Sequence, residues 1–585
     1  MANKIGDFLD ERTGFRALLS HALDEEIEGG ARWAYVFGSG LLTVFICQVV
    51  TGLLLMSTYT PSMTGAWASV FYIQHKVADG WFVRGMHHYG AQAMIVVLGM
   101  HLLQVALYGA YKKPREVTWW FGLMLLGMVQ GLGLTGYLLP WDQKGYWATK
   151  VATNIAGTIP VIGPSIQTLI VGGSEYGQAT LTRFYVLHVG VLPAGLLLAA
   201  TAHVALFRRF GATPPASADL KKKGVFYPDQ LVRDVGFAVL VVLAMALLTS
   251  ATHGAHLDAP SDPTVDYEPR PEWYFLFLFQ LLKYLPGSLE LLGTVVLPGI
   301  AGGFLFMLPF LDRGDSKRVR DRLPYLAPVL LGACGIVALT NQSLRDDEHN
   351  AAYKRGSEIA HQRAERAIML AQKGIPVGGP LELLRSDPMT RGADLDAQHC
   401  VKCHVLDGKG ERDAPDHTGF GSRPWILGMV HNPRDDHYFG KTKIDDMKPM
   451  GKVGEDKLSA VTEFLFSLGH EPQDPPFDQA LAVKGKEIFL DKCLDCHVYE
   501  GQGANVLDGP DMTGYGSRTW LSRQIADGSV HYGDLNKMPT FDDDLDAHDI
   551  AMLSAFLRQQ RFKVIDFKVE PAKPDAKGDA KDGDE

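Results

Sequence analysis

The sequence predicts a mainly α chain: a seven-helix transmembrane bundle followed by two small α-helical domains. Three observations carry that expectation. Residues 1 to about 341 are dominated by long apolar runs, whereas the chain from 344 onward is polar. Seven of those runs, at roughly 33–56, 86–108, 118–139, 182–207, 231–250, 289–311 and 324–341, approach or exceed the length of about 20 residues that a spanning helix needs. The polar half then carries one five-residue pattern twice, as Cys400-Val401-Lys402-Cys403-His404 and as Cys493-Leu494-Asp495-Cys496-His497.

The seven runs are rich in Leu, Val, Gly and Ala, with aromatic residues such as Trp119 and Trp120 near their ends, where interfacial belts form. Basic residues cluster after the second run (Lys112, Lys113, Arg115), the fourth (Arg208, Arg209, Lys221, Lys222, Lys223) and the sixth (Arg313, Lys317, Arg318, Arg320, Arg322). The positive-inside rule makes that side the cytoplasm, with the N-terminus on it. An odd number of crossings then puts residue 344 onward outside. Met1 to Glu28 is charged throughout and has no apolar core of a cleavable signal, so internal helices are expected to drive export. A net charge of −10 argues against nucleic acid as a partner.

Ionisable residues inside spans default to functional hypotheses. The second run carries His87 and His101, fourteen residues apart, and the fourth carries His188 and His203, fifteen apart. Fourteen residues rise about 21 Å, so each pair places one imidazole near each membrane face. If the two helices face one another, His87 meets His188 and His101 meets His203, forming two stacked bis-histidine sites suited to two non-covalent b haems. His88 points about 100° away from His87 and reads as a propionate or interface contact. Gly38, Gly52, Gly131 and Gly136 lie in the first and third runs, where a missing side chain admits a planar group or closely packed helices.

The repeated C-x-x-C-H pattern is a haem-attachment sequence: two cysteines form thioethers to one porphyrin and the His ligates its iron. Cys400, Cys403, Cys493 and Cys496 thus hold two covalent c haems, ligated by His404 and His497, and account for four of six cysteines. Haem c is attached outside the bacterial cytoplasm, which agrees independently with the charge argument. The two segments are similar at an offset of about 93 residues: Gly419-Phe-Gly-Ser-Arg-Pro-Trp425 matches Gly514-Tyr-Gly-Ser-Arg-Thr-Trp520, and Met447 matches Met538. Each ends in an apolar-periodic helix, 457–468 and 548–557. Met538 is the expected sixth ligand of the second haem. In the first, Met447 and Met450 both qualify, with Met447 favoured because Phe464 follows it by seventeen residues, close to the eighteen from Met538 to Phe556. His/Met ligation raises a haem potential relative to bis-His.

These residues resemble a known family. Arg84-Gly-Met-His87 through His101, Gly136-Tyr-Leu-Leu-Pro-Trp-Asp-Gln143, Thr182-Arg-Phe-Tyr-Val-Leu-His188 and Pro271-Glu-Trp-Tyr274 resemble cytochrome b of the quinol:cytochrome c oxidoreductases. The fifteen-residue histidine spacing and Leu139–Trp147 look more like the b-six form, whose first four and last three helices are separate polypeptides. The resemblance implies that His87 and His188 hold the outer b haem and His101 and His203 the inner one. It implies that Arg84 binds a propionate, and that Pro271, Glu272, Trp273 and Tyr274 line an outer quinol oxidation site with Glu272 as proton acceptor. The b-six form carries a haem-linking cysteine where this chain has Val36, so no covalent haem is expected in the membrane part.

The expected organisation is therefore a four-helix part with both b haems at 1–215, a three-helix part with the quinol-site loop at 216–343, and a linker at 344–392. Cytochrome c modules follow at 393–470 and 471–562, then a disordered tail at 563–585. The expected function is that of the redox core of a quinol:cytochrome c reductase in the bacterial inner membrane. One electron from quinol crosses the b haems to an inner quinone site. The other passes through a separate Rieske iron–sulfur protein to the fused c haems and on to a periplasmic cytochrome c or terminal oxidase, generating a proton gradient. The Rieske protein is implied because Cys47 and Cys334 alone cannot supply such a centre. The resemblance suggests a homodimer. The rival reading is a non-bifurcating electron conduit, which would need the histidines and C-x-x-C-H motifs but not Pro271–Tyr274. A third, a dihaem anchor of a dehydrogenase, fits poorly with seven helices. Whether the quinol is ubiquinol or menaquinol stays open.

Overall fold

The apolar runs become seven helices of spanning length: Trp33–Met56, Gly80–Tyr108, Glu116–Tyr137, Gln178–Phe210, Phe226–Ala251, Gly287–Leu311 and Val319–His349. The computed structural model describes residues 2–442, 447–503, 509–533 and 536–564. The expected tail from 563 therefore lies almost wholly outside the described residues. Most spans outrun their apolar stretches because local chemistry, not hydropathy, ends them. The second closes on Gly109, whose φ of 66° is the left-handed stop that glycine tolerates best. The seventh continues past 341 to His349, where Asn350 starts a new helix, Ala351–Ala371, by accepting the N–H groups of Ala352 and Tyr353. The segment expected as linker is thus largely helical. The chain divides into two compact units, Met1–Leu381 and Glu382–Glu585, so the boundary falls inside the range 344–392.

Within the first unit, span one packs on span two, span three on span four, and span five against spans one and two. Span four contains one π-helical turn, Leu187–Val191, immediately before the α-helix Leu192–Phe210. A π turn inserts one extra residue into an α-helix. That residue absorbs the difference between the fifteen-residue spacing of His188 and His203 and the fourteen of His87 and His101, and keeps both histidines on one face.

One end of the bundle is tied by charge. Asp312, after span six, accepts from Lys112 (2.6 Å), from the Tyr111 hydroxyl (2.7 Å) and from Arg322 at the start of span seven (2.7 Å). Arg322 is 1% exposed and also donates to the carbonyls of Ala106 and Leu107. Burial raises Asp312, but Arg322, Lys112 and Tyr111 outweigh it and hold its carboxyl below the usual range. At the same end Arg115 donates to the Phe210 carbonyl (2.6 Å), and residues 26–28 pair antiparallel with 223–225. The loops after spans two, four and six therefore share one side, as their common positive charge requires.

The second unit departs from two self-contained modules. Its helices are exchanged. The helix Gln479–Lys492, which leads into the second C-x-x-C-H, packs on Glu455–Leu468, the terminal helix of the first half. The segment 388–400, which leads into the first motif, packs on Ala547–Gln559, the terminal helix of the second half. A Cβ on Gly485 would lie 1.9 Å from the Ala460 carbonyl oxygen, and one on Gly392 would lie 2.3 Å from the Phe556 Cβ, so both crossings need glycine for close approach. Hydrogen bonds cross each contact: Arg391 grips Asp549 with two, at 2.8 and 2.6 Å, and Glu463 accepts the Asp478 N–H at 2.8 Å. One apolar core runs through both halves, from Leu395 and Trp425 to Phe489, Trp520 and Phe556. The two halves, expected at 393–470 and 471–562, share their helix pairs and their core.

Replacing Gly485 with Leu should lower the melting temperature of the whole second unit, because overpacking costs about 1–3 kcal/mol. Melting followed in the c-type absorbance of the intact protein should show a single, displaced transition. Two transitions with only one displaced would mean that the halves fold separately.

Candidate haem-binding and quinol sites

The facing of spans two and four brings the four intramembrane histidines together in pairs. The ring centroids of His87 and His188 lie 6.1 Å apart, and those of His101 and His203 lie 6.5 Å apart. A metal–imidazole bond is about 2 Å, so each gap has room for one iron between two inward nitrogens. The outward nitrogens are largely engaged. His87 Nδ1 lies 2.9 Å from Thr51 Oγ1, His188 Nδ1 lies 3.2 Å from Thr135 Oγ1, and His203 Nδ1 donates to the Thr118 carbonyl at 2.9 Å. Such bonds fix a ligating imidazole's tautomer and leave Nε2 for the metal. His101 Nδ1 is buried without a partner.

Glycines back every one of the four rings. A Cβ on Gly52 would meet His87 at 3.3 Å, on Gly38 His101 at 3.8 Å, on Gly136 His188 at 2.4 Å and on Gly122 His203 at 3.4 Å. Gly38 and Gly52 are fourteen residues apart, and so are Gly122 and Gly136. Gly131 is placed differently: it faces Leu192. Gly122 was legible from its fourteen-residue offset but is not among the glycines that sequence reasoning singled out. These cradles and free nitrogens fit two planar groups, each ligated by two imidazoles.

Arg84 is fully engaged with protein, donating to Gln74 Oε1 (3.0 Å), the Ala255 carbonyl (2.6 Å) and the His256 carbonyl (2.9 Å). It pins the loop after span five over the end of span two.

In the second unit both C-x-x-C-H segments close a helical turn, with the His404 N–H donating to the Cys400 carbonyl (2.9 Å) and the His497 N–H to the Cys493 carbonyl (2.8 Å). Each histidine gives Nδ1 to a proline carbonyl: His404 to Pro415 at 2.7 Å and His497 to Pro510 at 3.1 Å. Nε2 is again the free nitrogen. Cys403 and Cys496 are exposed, Cys400 is buried and Cys493 half-buried. Met538 Sδ lies 3.6 Å from Gln524 Nε2. Met447 is half-buried, while Met450 packs on the shared core with its N–H on the Val430 carbonyl. Both remain candidates for the first sixth position.

The segment Pro271–Tyr274 precedes the short helix Leu276–Lys283. Glu272 Oε1 is 3.1 Å from Lys144 Nζ, a residue of the helix Gln143–Gly157, which Asp142 caps by accepting the Gly145 N–H. His88 and Tyr137 also face the carboxylate. Burial raises Glu272, but Lys144, through its charge and its hydrogen bond, then His88 and Tyr137, outweigh it, so its carboxyl is held below the ordinary glutamate value. Trp273 Nε1 donates to Gln92 Oε1 at 3.4 Å, and the Gln92 amide lies 2.8 Å from His88 Nε2. A Cβ on Gly133 would lie 3.5 Å from the Tyr274 hydroxyl. Pro271 is half-buried at the head of the segment. Sequence reasoning found Glu272 but not Lys144, which is 128 residues away along the chain.

Residues 24–211 match the family model "Cytochrome b/b6/petB", and 266–352 match "Cytochrome b(C-terminal)/b6/petD". Residues 480–557 match "Cytochrome C oxidase, cbb3-type, subunit III". The chain is 43% identical over 223 residues to the menaquinol:cytochrome c reductase cytochrome b subunit of Geobacillus thermodenitrificans, covering 37% of this chain and 100% of that protein. It is 36% identical over 298 residues to a cytochrome bc complex cytochrome b subunit of Chlorobaculum thiosulfatiphilum, covering 49% and 68%, and 38% identical over 213 residues to cytochrome b6 of Synechococcus elongatus, covering 36% and 99%. Among solved structures, a chain of a hyperthermophilic respiratory Complex III aligns with a TM-score of 0.52 at 25% identity, covering 62% of this chain and 97% of that one. With the full length of a cytochrome b subunit matched at 43% identity, the chain belongs to the cytochrome b/b6 family and carries a cytochrome c unit at its C-terminal end.

Proposed function

We propose that this chain is the redox core of a quinol:cytochrome c reductase in a bacterial inner membrane, with its cytochrome c unit outside. The observation that carries the reading is one juxtaposition. The Glu272 carboxylate faces His88, the residue next to His87, so a proton acceptor and the outer histidine pair lie at one level of the bundle. A non-bifurcating conduit would have no use for that acid. The overall reaction oxidises quinol at the outer face, reduces quinone at the inner face, and delivers the remaining electron outside through a separate Rieske protein. The similarity to the menaquinol:cytochrome c reductase subunit of Geobacillus thermodenitrificans favours menaquinol.

Two b haems, held by His87/His188 and His101/His203, and two c haems, held on Cys400/Cys403/His404 and Cys493/Cys496/His497, would supply one-electron transfer. The chain's own residues do the rest. Glu272 takes a quinol proton, Tyr274 and Trp273 flank it, and the glycine cradles leave room for the flat groups. The Rieske partner, a downstream cytochrome c or oxidase, and a homodimeric complex belong to this reading.

Pyridine haemochrome spectra before and after acid-acetone extraction should give two extractable b haems and two retained c haems per chain. H203A should lose one b haem and keep both c haems; a lost c haem would refute the ligand map. E272Q should keep all four haems yet lose quinol-dependent cytochrome c reduction by at least about 10²-fold, the usual worth of a positioned general base. Undiminished turnover would remove Glu272 from the mechanism.

A further inference from the structure

Lys144 is the second residue of the helix Gln143–Gly157. A cation there opposes the helix macrodipole, which favours negative charge in the first turn. The helix therefore does not explain it, and its ion pair with Glu272 does. The pair is unequal: the Glu272 side chain is 13% exposed and that of Lys144 42%. A buried carboxylate without a partner is costly, whereas a long half-exposed lysine can swing its head into water at little cost. Four groups face Glu272: Lys144, His88 from span two, Tyr137 from the end of span three, and Tyr274 from its own segment. Lys144 also lies 5.7 Å over the Tyr137 ring and within electrostatic reach of Asp258, His256 and Tyr353.

We propose that Lys144 is a positioning residue for quinol oxidation: its ammonium is the resting counter-ion of Glu272, so that an arriving quinol meets a charged carboxylate rather than a carboxylic acid. The inference rests on Glu272 being the proton acceptor. The step is a proton transfer: a quinol O–H bond breaks, the Glu272 O–H bond forms, and Lys144 keeps its own protons while its ion pair with Glu272 dissolves. Neutral Glu272 no longer holds the lysine, which is then free to move to water and clear the way for the acid to turn outward and release its proton.

The acceptor is the deprotonated form, so turnover falls as pH drops through the Glu272 pKa, and removing Lys144 moves that fall to higher pH. An opposite charge at this range is worth about 1–3 pKa units. The experiment is quinol-dependent cytochrome c reduction by the purified complex as a function of pH, with kcat and KM separated, for wild type, K144Q, K144R and E272Q. We expect the acid limb of kcat to rise by about 1–3 pH units in K144Q and to return to the wild-type position in K144R, with unchanged b-haem absorbance. K144M serves as the neutral variant should K144Q not assemble. An inactive E272Q with a K144Q acid limb on top of the wild type, or a K144R limb displaced as far as that of K144Q, overturns the role of Lys144 alone. A fully active E272Q overturns the quinol-site reading and this inference with it.

Discussion

The membrane unit is organised around one constraint: two pairs of imidazoles must face each other across the bundle, each with one ring nitrogen free. Most of the distinctive features of spans one to four follow from it. Two helices must present histidines a constant rise apart on one face, which span two does with fourteen residues and span four with fifteen and a π turn. The outward nitrogens need partners in a medium that offers no water, and Thr51, Thr135 and the Thr118 carbonyl supply three of them. The rings need backing without bulk, and Gly38, Gly52, Gly122 and Gly136 give it at the same fourteen-residue interval. Each glycine weakens its helix by about 1 kcal/mol relative to alanine in isolation, a cost most clearly required at Gly136, where a Cβ would lie 2.4 Å from the His188 ring.

Charge divides the two ends of the bundle by purpose. Arg322 and Asp312 are all but sealed from solvent, and Lys112, Tyr111 and two backbone carbonyls complete their bonding. Removing one member of such a network leaves an uncompensated buried charge, at a cost of about 3–5 kcal/mol, so the network can lock the loops after spans two and six to the start of span seven. Lys144 and Glu272 are built differently. One partner is buried and the other reaches water, so the pair can break and re-form without the bundle paying that penalty. A static tie suits parts that must be joined, and a labile pair suits the proton transfer proposed for Glu272.

The sequence made most of this legible because the membrane imposes periodicity. Seven apolar runs, two histidine pairs and two C-x-x-C-H patterns need no tertiary knowledge to be seen. The unread features depend on residues distant in sequence or on backbone irregularity. The fifteen-residue spacing is plain in the sequence, but it is accommodated by a π turn that no side-chain pattern announces. Lys144 meets Glu272 only through folding, because the two lie 128 residues apart along the chain. His88 read as a neighbour of a ligand, and its value lies in facing Glu272 from the opposite element. Gly131 and Gly122 share the third run, and only the fourteen-residue offset from Gly136 singles out Gly122 as the one that faces a histidine.

The exchanged helices of the cytochrome c unit have a physical origin in that same internal repetition. Both halves carry a glycine before their C-x-x-C-H motif and a phenylalanine in their terminal helix, so either leading helix offers a suitable face to either terminal helix. What differs is the chain between them. Glu455–Leu468 and Gln479–Lys492 are consecutive, joined by a short segment in which Asp478 caps the second helix and bonds Glu463 of the first. Closing a short loop costs less entropy than closing a long one, so these two pair as a helical hairpin. The remaining partners, 388–400 and Ala547–Gln559, are left to each other. Arg558 and Arg561 then hold that arrangement from the far end: Arg558 binds Glu471 and Asp474 in the connecting segment, and Arg561 bonds the carbonyls of Phe466 and Gly516. Two repeats that resemble independent modules along the chain are thereby folded as one body, with His404 and His497 positioned by a common core.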